Sequence, residues 1–135
     1  MRVYAEASAV LKLHVDEPES DHAHALLEGA HWASGSHTYV EVRRNLARLL
    51  AGPSLDDARA SFVRSWRDVE VIDLAEVVVE QSAELAERTG ARTLDALHLG
   101  AASAAGADDG LPIVTFDRRL AHAARSLGWT VLGAE

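Results

Sequence analysis

The chain has 135 residues, of which 48% are hydrophobic, so its length and composition suit one domain with a buried core. The absence of cysteine excludes disulfides, thiolate zinc sites and cysteine nucleophiles, and it fits a reducing compartment such as the cytoplasm. A formal net charge of −8 repels polyanions at long range, so a nucleic-acid-binding function requires a local basic patch or bound cations that reverse the local field.

The N-terminal segment, residues 1–15, is interrupted by Arg2, Glu6 and Lys12. It therefore lacks the continuous apolar stretch that a signal peptide or a membrane span requires. The sequence contains no internal repeat at solenoid spacing and no polar low-complexity tract that would act as a linker. We expect a single domain, residues 1–135, located in the cytoplasm.

Strand and helix patterns alternate in the first half of the chain. The junction between the first strand and the first helix falls near Glu6, and this helix is expected to stop before Pro18. The third helix is expected to end near Gly52 and Pro53. In chain order, the predicted elements are a strand at 3–5, helices at 8–15 and 23–30, a strand at 32–34 and a helix with an apolar face at 42–50.

The second half continues the alternation. Ser54 and Asp57 form a pattern typical of a capping box, which predicts the start of a fourth helix. Its buried stripe, which holds much of the aromatic core, consists of Leu55, Ala58, Phe62 and Trp66. A strand is predicted at 69–72, and the next helix, closed by Gly90, has the apolar residues Val78, Val79, Ala83, Leu85 and Ala86. The helix after it has the apolar residues Leu94, Leu97 and Ala101 and loosens at Gly106. The last predicted elements are a buried strand at 111–116, a helix at 120–127 and a strand at 129–132.

This alternation predicts an α/β fold with a mostly parallel sheet covered on both faces, and such folds bind ligands outside the carboxyl ends of their strands. Four carboxylates occupy positions that lead toward that edge. Convergent carboxylates are costly unless a cation lies among them, and Mg²⁺ and Mn²⁺ prefer oxygen ligands. The four are Glu6 after the first strand, Glu41 early in the third helix, Asp95 opening a helix, and Asp117 after the strand at 111–116.

Three of these acids also have explanations that involve no metal. Asp117 could cap the last helix, and Asp95 could be a first-turn residue favoured by the helix dipole. Glu41 lies three residues before Arg44 and could form an exposed helical ion pair. Glu6 differs because a carboxylate directly after an apolar strand points toward the ligand-binding edge. Composition and periodicity alone thus indicate an α/β domain with a candidate metal site, and they specify no reaction.

Five short segments resemble the VapC-type proteins of the PIN-domain family, and they occur in that family's order along nearly the whole chain. The opening segment, VYAEASAVLKL at 3–13, is similar to a family pattern of an apolar residue, Tyr-Leu-Asp-Thr-Ser-Ala-Leu and then Lys-Leu. The other four are EPES at 17–20, YVEVRR at 39–44, TLDALHL at 93–99 and VTFDRRL at 114–120.

The resemblance implies a PIN-like three-layer α/β/α fold with a twisted, mostly parallel five-stranded sheet and an acidic pocket at its carboxyl edge. It also implies a Mg²⁺- or Mn²⁺-dependent ribonuclease, the toxin of a toxin-antitoxin pair, which forms a homodimer and is neutralised by a cognate VapB-type antitoxin. Thr115 and Ser8 would orient a carboxylate or a metal-bound water, although both could instead cap local backbone. The catalytic and metal-binding residues would be Glu6, Glu41, Asp95 and Asp117.

One position departs from the family pattern, because Glu6 stands where the family has its first Asp. The glutamate carboxylate reaches one C–C bond further, about 1.5 Å, whereas Mg²⁺ demands near-octahedral geometry. The alternative to an active ribonuclease is therefore a catalytically weakened or silent binding module that keeps the PIN fold and the antitoxin contacts. A phosphoacceptor signalling domain is set aside because it needs a late lysine, and Lys12 is the only lysine in the chain.

Basic and aromatic residues near these segments have competing explanations. His22 and His24 are two residues apart and would lie on different helix faces, and His98 is expected to pack or hydrogen-bond near the pocket rather than bind zinc. Trp32, Trp66 and Trp129 are expected in the core or a dimer contact. Five arginines could contact RNA phosphates, antitoxin carboxylates or solvent, namely Arg43, Arg44, Arg48, Arg118 and Arg119.

Overall fold

The computed structural model describes the whole chain, Met1–Glu135. Its strands are β1 (Arg2–Ala5), β2 (His31–Gly35), β3 (Glu70–Ile72), β4 (Ile113–Thr115) and β5 (Val131–Gly133). Its helices are α1 (Ala7–Leu11), α2 (Ser20–Leu27), α3 (Ser36–Leu49), α4 (Gly52–Trp66), α5 (Glu76–Thr89), α6 (Thr93–Ala105) and α7 (Arg118–Ser126), with a short 3₁₀ turn at Ala107–Asp109.

The five strands form one parallel sheet in the order β3-β2-β1-β4-β5. β1 lies at the centre, where Tyr4 is in register with Ala33 of β2 and with Ile113 of β4. The α/β fold with a five-stranded parallel sheet is therefore confirmed. Because all strands run the same way, the segments that follow β1, β2 and β4 emerge at one edge of the sheet.

Side chains alternate between two hydrophobic cores, one on each face of the sheet. Val3 and Ala5 face the core built with α1 to α4, which also contains Phe62. Tyr4 faces the opposite core, which α5, α6 and α7 complete with residues such as Leu99 and Leu120. This arrangement confirms that helices cover both faces of the sheet. None of the helices combines the length and the apolar character that a membrane span needs.

Several predicted helix boundaries were wrong, including that of the second helix, which was predicted to reach residue 30 and ends at Leu27. The fourth helix does not begin with a capping box at Ser54 and Asp57, because α4 starts at Gly52 and has no side-chain cap at its N-terminus. Pro53 explains the earlier start, since proline lacks an N–H group and is favoured in the first helical turn. The first helix was predicted to reach Val15, but α1 ends at Leu11 and continues only as turns.

Some apolar positions that the sequence pattern placed on buried faces are exposed. Val79 of α5 and Leu94 of α6 are 47% and 53% exposed, and Ala83 is also exposed. The face of α5 that packs on α6 instead contains Ser82, whose hydroxyl donates to the Val78 carbonyl oxygen at 2.7 Å. Ser82 can therefore lie buried between α5 and α6, because a carbonyl oxygen of its own helix accepts its hydroxyl hydrogen bond.

Candidate metal and active site

The carboxyl edge of the sheet gathers the acidic residues from separate parts of the chain. Glu6 directly follows β1, Asp117 lies two residues after β4, and Glu41 lies on α3, which follows β2. Because β1 lies between β2 and β4, these three segments are neighbours. Asp95, in the first turn of α6, completes the set.

Glu6 is a buried carboxylate, 5% exposed, and its hydrogen bonds are all made within the site. Oε2 accepts the backbone N–H of Ser8 at 3.0 Å, so Glu6 caps α1. Oε1 accepts the hydroxyl groups of Ser8 and Thr115, the latter at 2.6 Å. A buried charged group needs such donors, and Ser8 and Thr115 fix the direction of this carboxylate.

Asp117 is the N-cap of α7, as one of the explanations without a metal predicted. One carboxylate oxygen, Oδ1, accepts the backbone N–H groups of Arg119 at 2.9 Å and Leu120 at 3.2 Å. Its own backbone N–H donates to Thr115 Oγ1 at 3.0 Å. Oδ2 is not used by these cap bonds, so capping leaves one oxygen of Asp117 for another partner.

Asp95 is half-buried, and the pKa of its carboxyl group is raised, first by burial and then by the negative charges of Asp117 and Glu6. Glu41 adds to the increase, whereas His98 opposes it. The other three predicted acidic residues therefore all lie close enough to Asp95 to act on its carboxyl group. Asp95 also lies in the first turn of α6, as the explanation without a metal proposed. The helix dipole favours its negative charge, whereas the neighbouring acids oppose it.

His98 connects Glu41 with the centre of the sheet. Its Nε2 donates to Glu41 Oε1 at 2.7 Å and lies 3.9 Å from Glu6 Oε2, while its Nδ1 lies 2.8 Å from the Tyr4 hydroxyl oxygen. Burial alone would lower the pKa of His98, but the hydrogen bond to Glu41 and the nearby carboxylates outweigh burial and raise it. Glu41 therefore pairs with His98, and the predicted pair with Arg44 does not form.

Sequence reasoning missed His37, which lies beside this cluster. Its ring is 4.1 Å from the ring of His98, centroid to centroid, and its Nε2 is 3.9 Å from Glu41 Oε1. Burial and the neighbouring His98 lower the pKa of His37 to about 4, although Glu41 opposes the shift. The available signal was the spacing of His37 and Glu41, four residues apart on one helix and hence on one face.

A pocket of about 430 Å³ opens beside Asp95, and basic residues line much of it. Arg118 and Arg119, from the first turn of α7, lie at this pocket as the sequence analysis considered. Sequence reasoning missed Arg92 and His122, which line the same pocket. The acidic cluster therefore has a cationic border despite the net charge of −8.

The other basic residues lie elsewhere. Arg43 donates to the Tyr39 hydroxyl at 3.1 Å, and Arg48 contacts Asn45, so both arginines are used along α3. Lys12 lies 3.4 Å from Glu17 and 3.7 Å from Glu19. The two arginines thus contact residues of their own helix. Lys12 differs, because its side chain is only 11% exposed and its ammonium group also lies 5.4 Å from the centre of the Phe116 ring, next to Asp117 in the chain.

The donor set fits a hard divalent cation. Carboxylates dominate it, and the pKa of Asp95 is raised first by burial and then by neighbouring negative charges, whose repulsion a cation would relieve. Ser8 and Thr115 hold Glu6 without adding positive charge. The residues that could ligate the ion directly or through water are Glu6, Glu41, Asp95 and Asp117.

Comparisons with known proteins identify the family and the fold of this chain. A family model described as PIN domain matches residues 3–126. Ribonuclease VapC45 of Mycobacterium tuberculosis is 35% identical over 139 residues, which cover 98% of this chain and 96% of that protein. The structure of M. tuberculosis VapC20, described as a sarcin-ricin loop cleaving toxin, has a TM-score of 0.72 and 18% identity, covering 90% of this chain and 94% of that one. VapBC-5 from M. tuberculosis, described as a toxin-antitoxin system, has a TM-score of 0.66 and 17% identity, covering 98% of both chains.

Proposed function

This chain belongs to the PIN-domain family, among the VapC ribonucleases, and from that membership we propose that it is a toxin that hydrolyses RNA phosphodiester bonds with a divalent cation. The observation that supports the proposal best is the convergence of Glu6, Asp95 and Asp117 at one sheet edge, where burial and the negative charges of Asp117 and Glu6 raise the pKa of Asp95. Such a cluster is stabilised by a cation, and the adjoining arginines suit a phosphate chain.

Asp95, Asp117 and Glu6 would hold Mg²⁺ or Mn²⁺, with Glu41 as a further ligand directly or through water. When bound, the ion would supply a more acidic water and neutralise charge on the scissile phosphate. Ser8 and Thr115 keep the Glu6 carboxylate in one orientation through their hydroxyl groups.

The arginines of α7 serve the substrate rather than the ion. Arg118 and Arg119 line the pocket beside Asp95, where their guanidinium groups can contact the RNA backbone on either side of the cleaved bond. Such contacts position the RNA backbone without recognising its base sequence. Their positive charge also offsets the repulsion between RNA and the negatively charged protein.

The proposed protein partner of this chain is inferred from its relatives. VapBC-5 is described as a toxin-antitoxin system, which supports a cognate VapB-type antitoxin as a partner of this chain. An acidic partner segment could use the same arginines at the pocket, so antitoxin and RNA would compete there. We further propose a homodimer located in the cytoplasm.

A second candidate function is a silent PIN-fold binding module. The observation in its favour is that hydrogen bonds from Ser8 and Thr115 engage both oxygens of Glu6, which is also the residue that departs from the family pattern. A Glu6 that serves only as a helix cap and a buried anchor would leave the cation to Asp95 and Asp117.

Cleavage of labelled total bacterial RNA in Mn²⁺ separates the two functions. We expect the parent chain to cleave RNA, EDTA to stop it, and Asp95→Asn to lower the rate more than about 100-fold, because removing a ligand forfeits several kcal/mol of charge stabilisation. Asp109→Asn, an exposed acid in the 3₁₀ turn, is the matched control and should cleave normally. An inactive parent together with an active Glu6→Asp variant would instead establish the silent module.

A further inference from the structure

His37 is a buried side chain with unused hydrogen-bonding capacity. The side chain is only 10% exposed, yet neither ring nitrogen has a hydrogen-bond partner. Buried polar atoms are nearly always paired, because leaving one unpaired costs its full desolvation energy. An imidazole in this situation, next to a carboxylate and a second imidazole, has the environment of a metal ligand whose ion is its missing partner.

We propose that His37, Glu41 and His98 form a second metal site, selective for a borderline transition-metal ion of the Zn²⁺ class. One ligand atom from each of the three side chains lies within 4.8 Å of the other two. His37 and Glu41 are one turn apart on α3, and His98 approaches them from α6. Two rigid helices therefore present the three ligands.

The donor types distinguish this site from the carboxylate site. Two imidazole nitrogens and one carboxylate oxygen form a ligand set used by zinc, which binds three protein ligands and leaves a fourth position for water. Mg²⁺ prefers oxygen donors and is poorly served by imidazole. The His37 site and the cluster of Glu6, Asp95 and Asp117 should thus select different ions.

The distances require only small adjustments. Ligand atoms of a tetrahedral zinc ion with bonds of about 2.0–2.1 Å are separated by about 3.3 Å. His98 Nε2 and Glu41 Oε1, now 2.7 Å apart, would open slightly, and His37 Nε2, now 3.9 Å from Glu41 Oε1, would close slightly. Each of these two distances thus differs from the tetrahedral separation by only about 0.6 Å.

Two neighbours support the ligands. A methyl group at Gly35 would lie 2.4 Å from Cε1 and 2.6 Å from Nδ1 of His37, so glycine makes room for the ring. The Tyr4 hydroxyl lies 2.8 Å from Nδ1 of His98 and can fix that ring while Nε2 binds the ion. Metal-binding histidines commonly have such a partner on the second ring nitrogen.

The proposed site has a consequence that rests on the proposed ribonuclease function. Glu41 belongs to both ligand sets, so a Zn²⁺ ion held by His37 and His98 withdraws Glu41 from the carboxylate site. Zn²⁺ would then inhibit cleavage supported by Mn²⁺, and His37→Phe would relieve the inhibition without abolishing the basal rate.

The binding test uses Co²⁺ as a spectroscopic substitute for Zn²⁺ and does not depend on catalysis. We expect the parent chain to develop the visible absorption of tetrahedral Co²⁺, to saturate at one equivalent, and to lose the absorption when Zn²⁺ is added. His37→Phe keeps the ring volume and removes the ligand, and it should weaken Co²⁺ binding at least tenfold. Gly35→Ala, which pushes the His37 ring aside, should weaken it as well.

Two matched controls complete the design. His31→Asn alters an exposed histidine of β2 and should bind Co²⁺ like the parent chain. Asp95→Asn disables the carboxylate site and should keep the absorption, which separates failure of this proposal from failure of the ribonuclease function. A parent chain without the absorption, or a His37→Phe variant that binds Co²⁺ as tightly as the parent, would overturn the second site.

Discussion

Thr115 has one hydroxyl group that serves two residues of the site. The hydroxyl donates to Glu6 Oε1 at 2.6 Å and accepts the backbone N–H of Asp117 at 3.0 Å. The side chain is fully buried, so water cannot replace either bond if the hydroxyl is removed. Thr115 therefore links the carboxylate after β1 to the carboxylate after β4.

Replacing Thr115 by valine keeps the shape and removes the hydroxyl. We expect Thr115→Val to lower the free energy of unfolding by about 1–3 kcal/mol, because the buried Glu6 carboxylate and the part-buried N–H of Asp117 each lose a partner. RNA cleavage should fall as well, since Glu6 loses its fixed orientation. Thr115→Ser keeps the hydroxyl and should retain most activity. Equal activity of the valine and serine variants, measured on the same RNA, would show that the hydroxyl has no role in the site.

His14, which lies eight residues after Glu6, provides a prediction about pH. Burial, together with the nearby His24, lowers the pKa of His14 from its ordinary 6.5 to about 4. Its ring packs edge-on against Phe62 with centroids 5.7 Å apart. Because the folded chain takes up this proton less readily than the unfolded chain, His14 costs stability as pH falls from about 6.5 toward 4.

We therefore expect His14→Phe to stabilise the chain more at pH 5 than at pH 8. Urea unfolding at the two pH values measures the difference, and comparison with the parent chain cancels the contribution of other titrating groups. His31→Asn, at an exposed position, should show no such pH-dependent gain. A His14→Phe effect of the same size at both pH values would contradict the burial of a neutral imidazole.

At the scale of elements, the contact between α5 and α6 depends on the absence of a side chain at Gly100. A methyl group there would lie 1.9 Å from Ser82 Oγ and 3.0 Å from the Val78 carbonyl oxygen. Gly100→Ala should destabilise the chain by about 1–3 kcal/mol through overpacking, although helix propensity alone favours alanine by about 0.5–1 kcal/mol. The sign of the change in thermal unfolding therefore decides between packing and propensity.

A double-mutant cycle checks the cause of that change. Ser82→Ala removes the oxygen that the new methyl group would meet, so the double variant should recover part of the stability that Gly100→Ala loses. A double variant no more stable than expected from the sum of the two single changes would assign the loss to the contacts that remain, with Ser82 Cβ and the Val78 carbonyl oxygen, each 3.0 Å from the new methyl group.

The existence and order of the elements were predictable because each has a strong local pattern. Apolar segments that alternate with helical patterns predicted the bounds of all five strands to within about three residues. The predicted end of α5 at Gly90 is also correct, because Gly90 adopts the left-handed conformation, φ 77°, that glycine allows at a helix end. Boundaries were less predictable. The start of α4 depends on Pro53, and the burial of Ser82 rather than Val79 depends on where α6 packs, which no local pattern contains.

At the scale of the molecule, Asp95 makes the acidic cluster a source of instability when no cation is bound. Because the pKa of Asp95 is raised, the folded chain binds this proton more tightly than the unfolded chain does. Protonated Asp95 therefore stabilises the fold at low pH, and this stabilisation is lost as pH rises through the folded-state pKa. Without metal at neutral pH, Asp95→Asn should therefore melt at or above the temperature of the parent chain.

Mn²⁺ should stabilise the parent chain, by about 2.7 kcal/mol at a hundredfold excess over Kd, and stabilise Asp95→Asn much less. Thermal melts with Mn²⁺ and with EDTA measure both effects, and equal shifts in the two proteins would count against Asp95 as a ligand.

The convergence of the acids could be inferred only in part from the sequence. The alternation of elements indicated that all four acids lead toward one edge, and the resemblance to VapC-type PIN domains implied that they are the catalytic and metal-binding residues. The local spacing of His37 and Glu41 put the two residues on one helix face, but it could not reveal the approach of His98 on a helix more than fifty residues away. Tertiary structure alone creates that pairing.

Anomalous X-ray diffraction from crystals soaked in Mn²⁺ tests the central claim most directly, because it locates the ion without reference to activity. The account predicts a manganese peak among the carboxylates of Glu6, Asp95 and Asp117, within coordination distance of at least two of them, directly or through water. A well-ordered crystal with manganese bound only elsewhere, and no peak between Asp95 and Asp117, would contradict it.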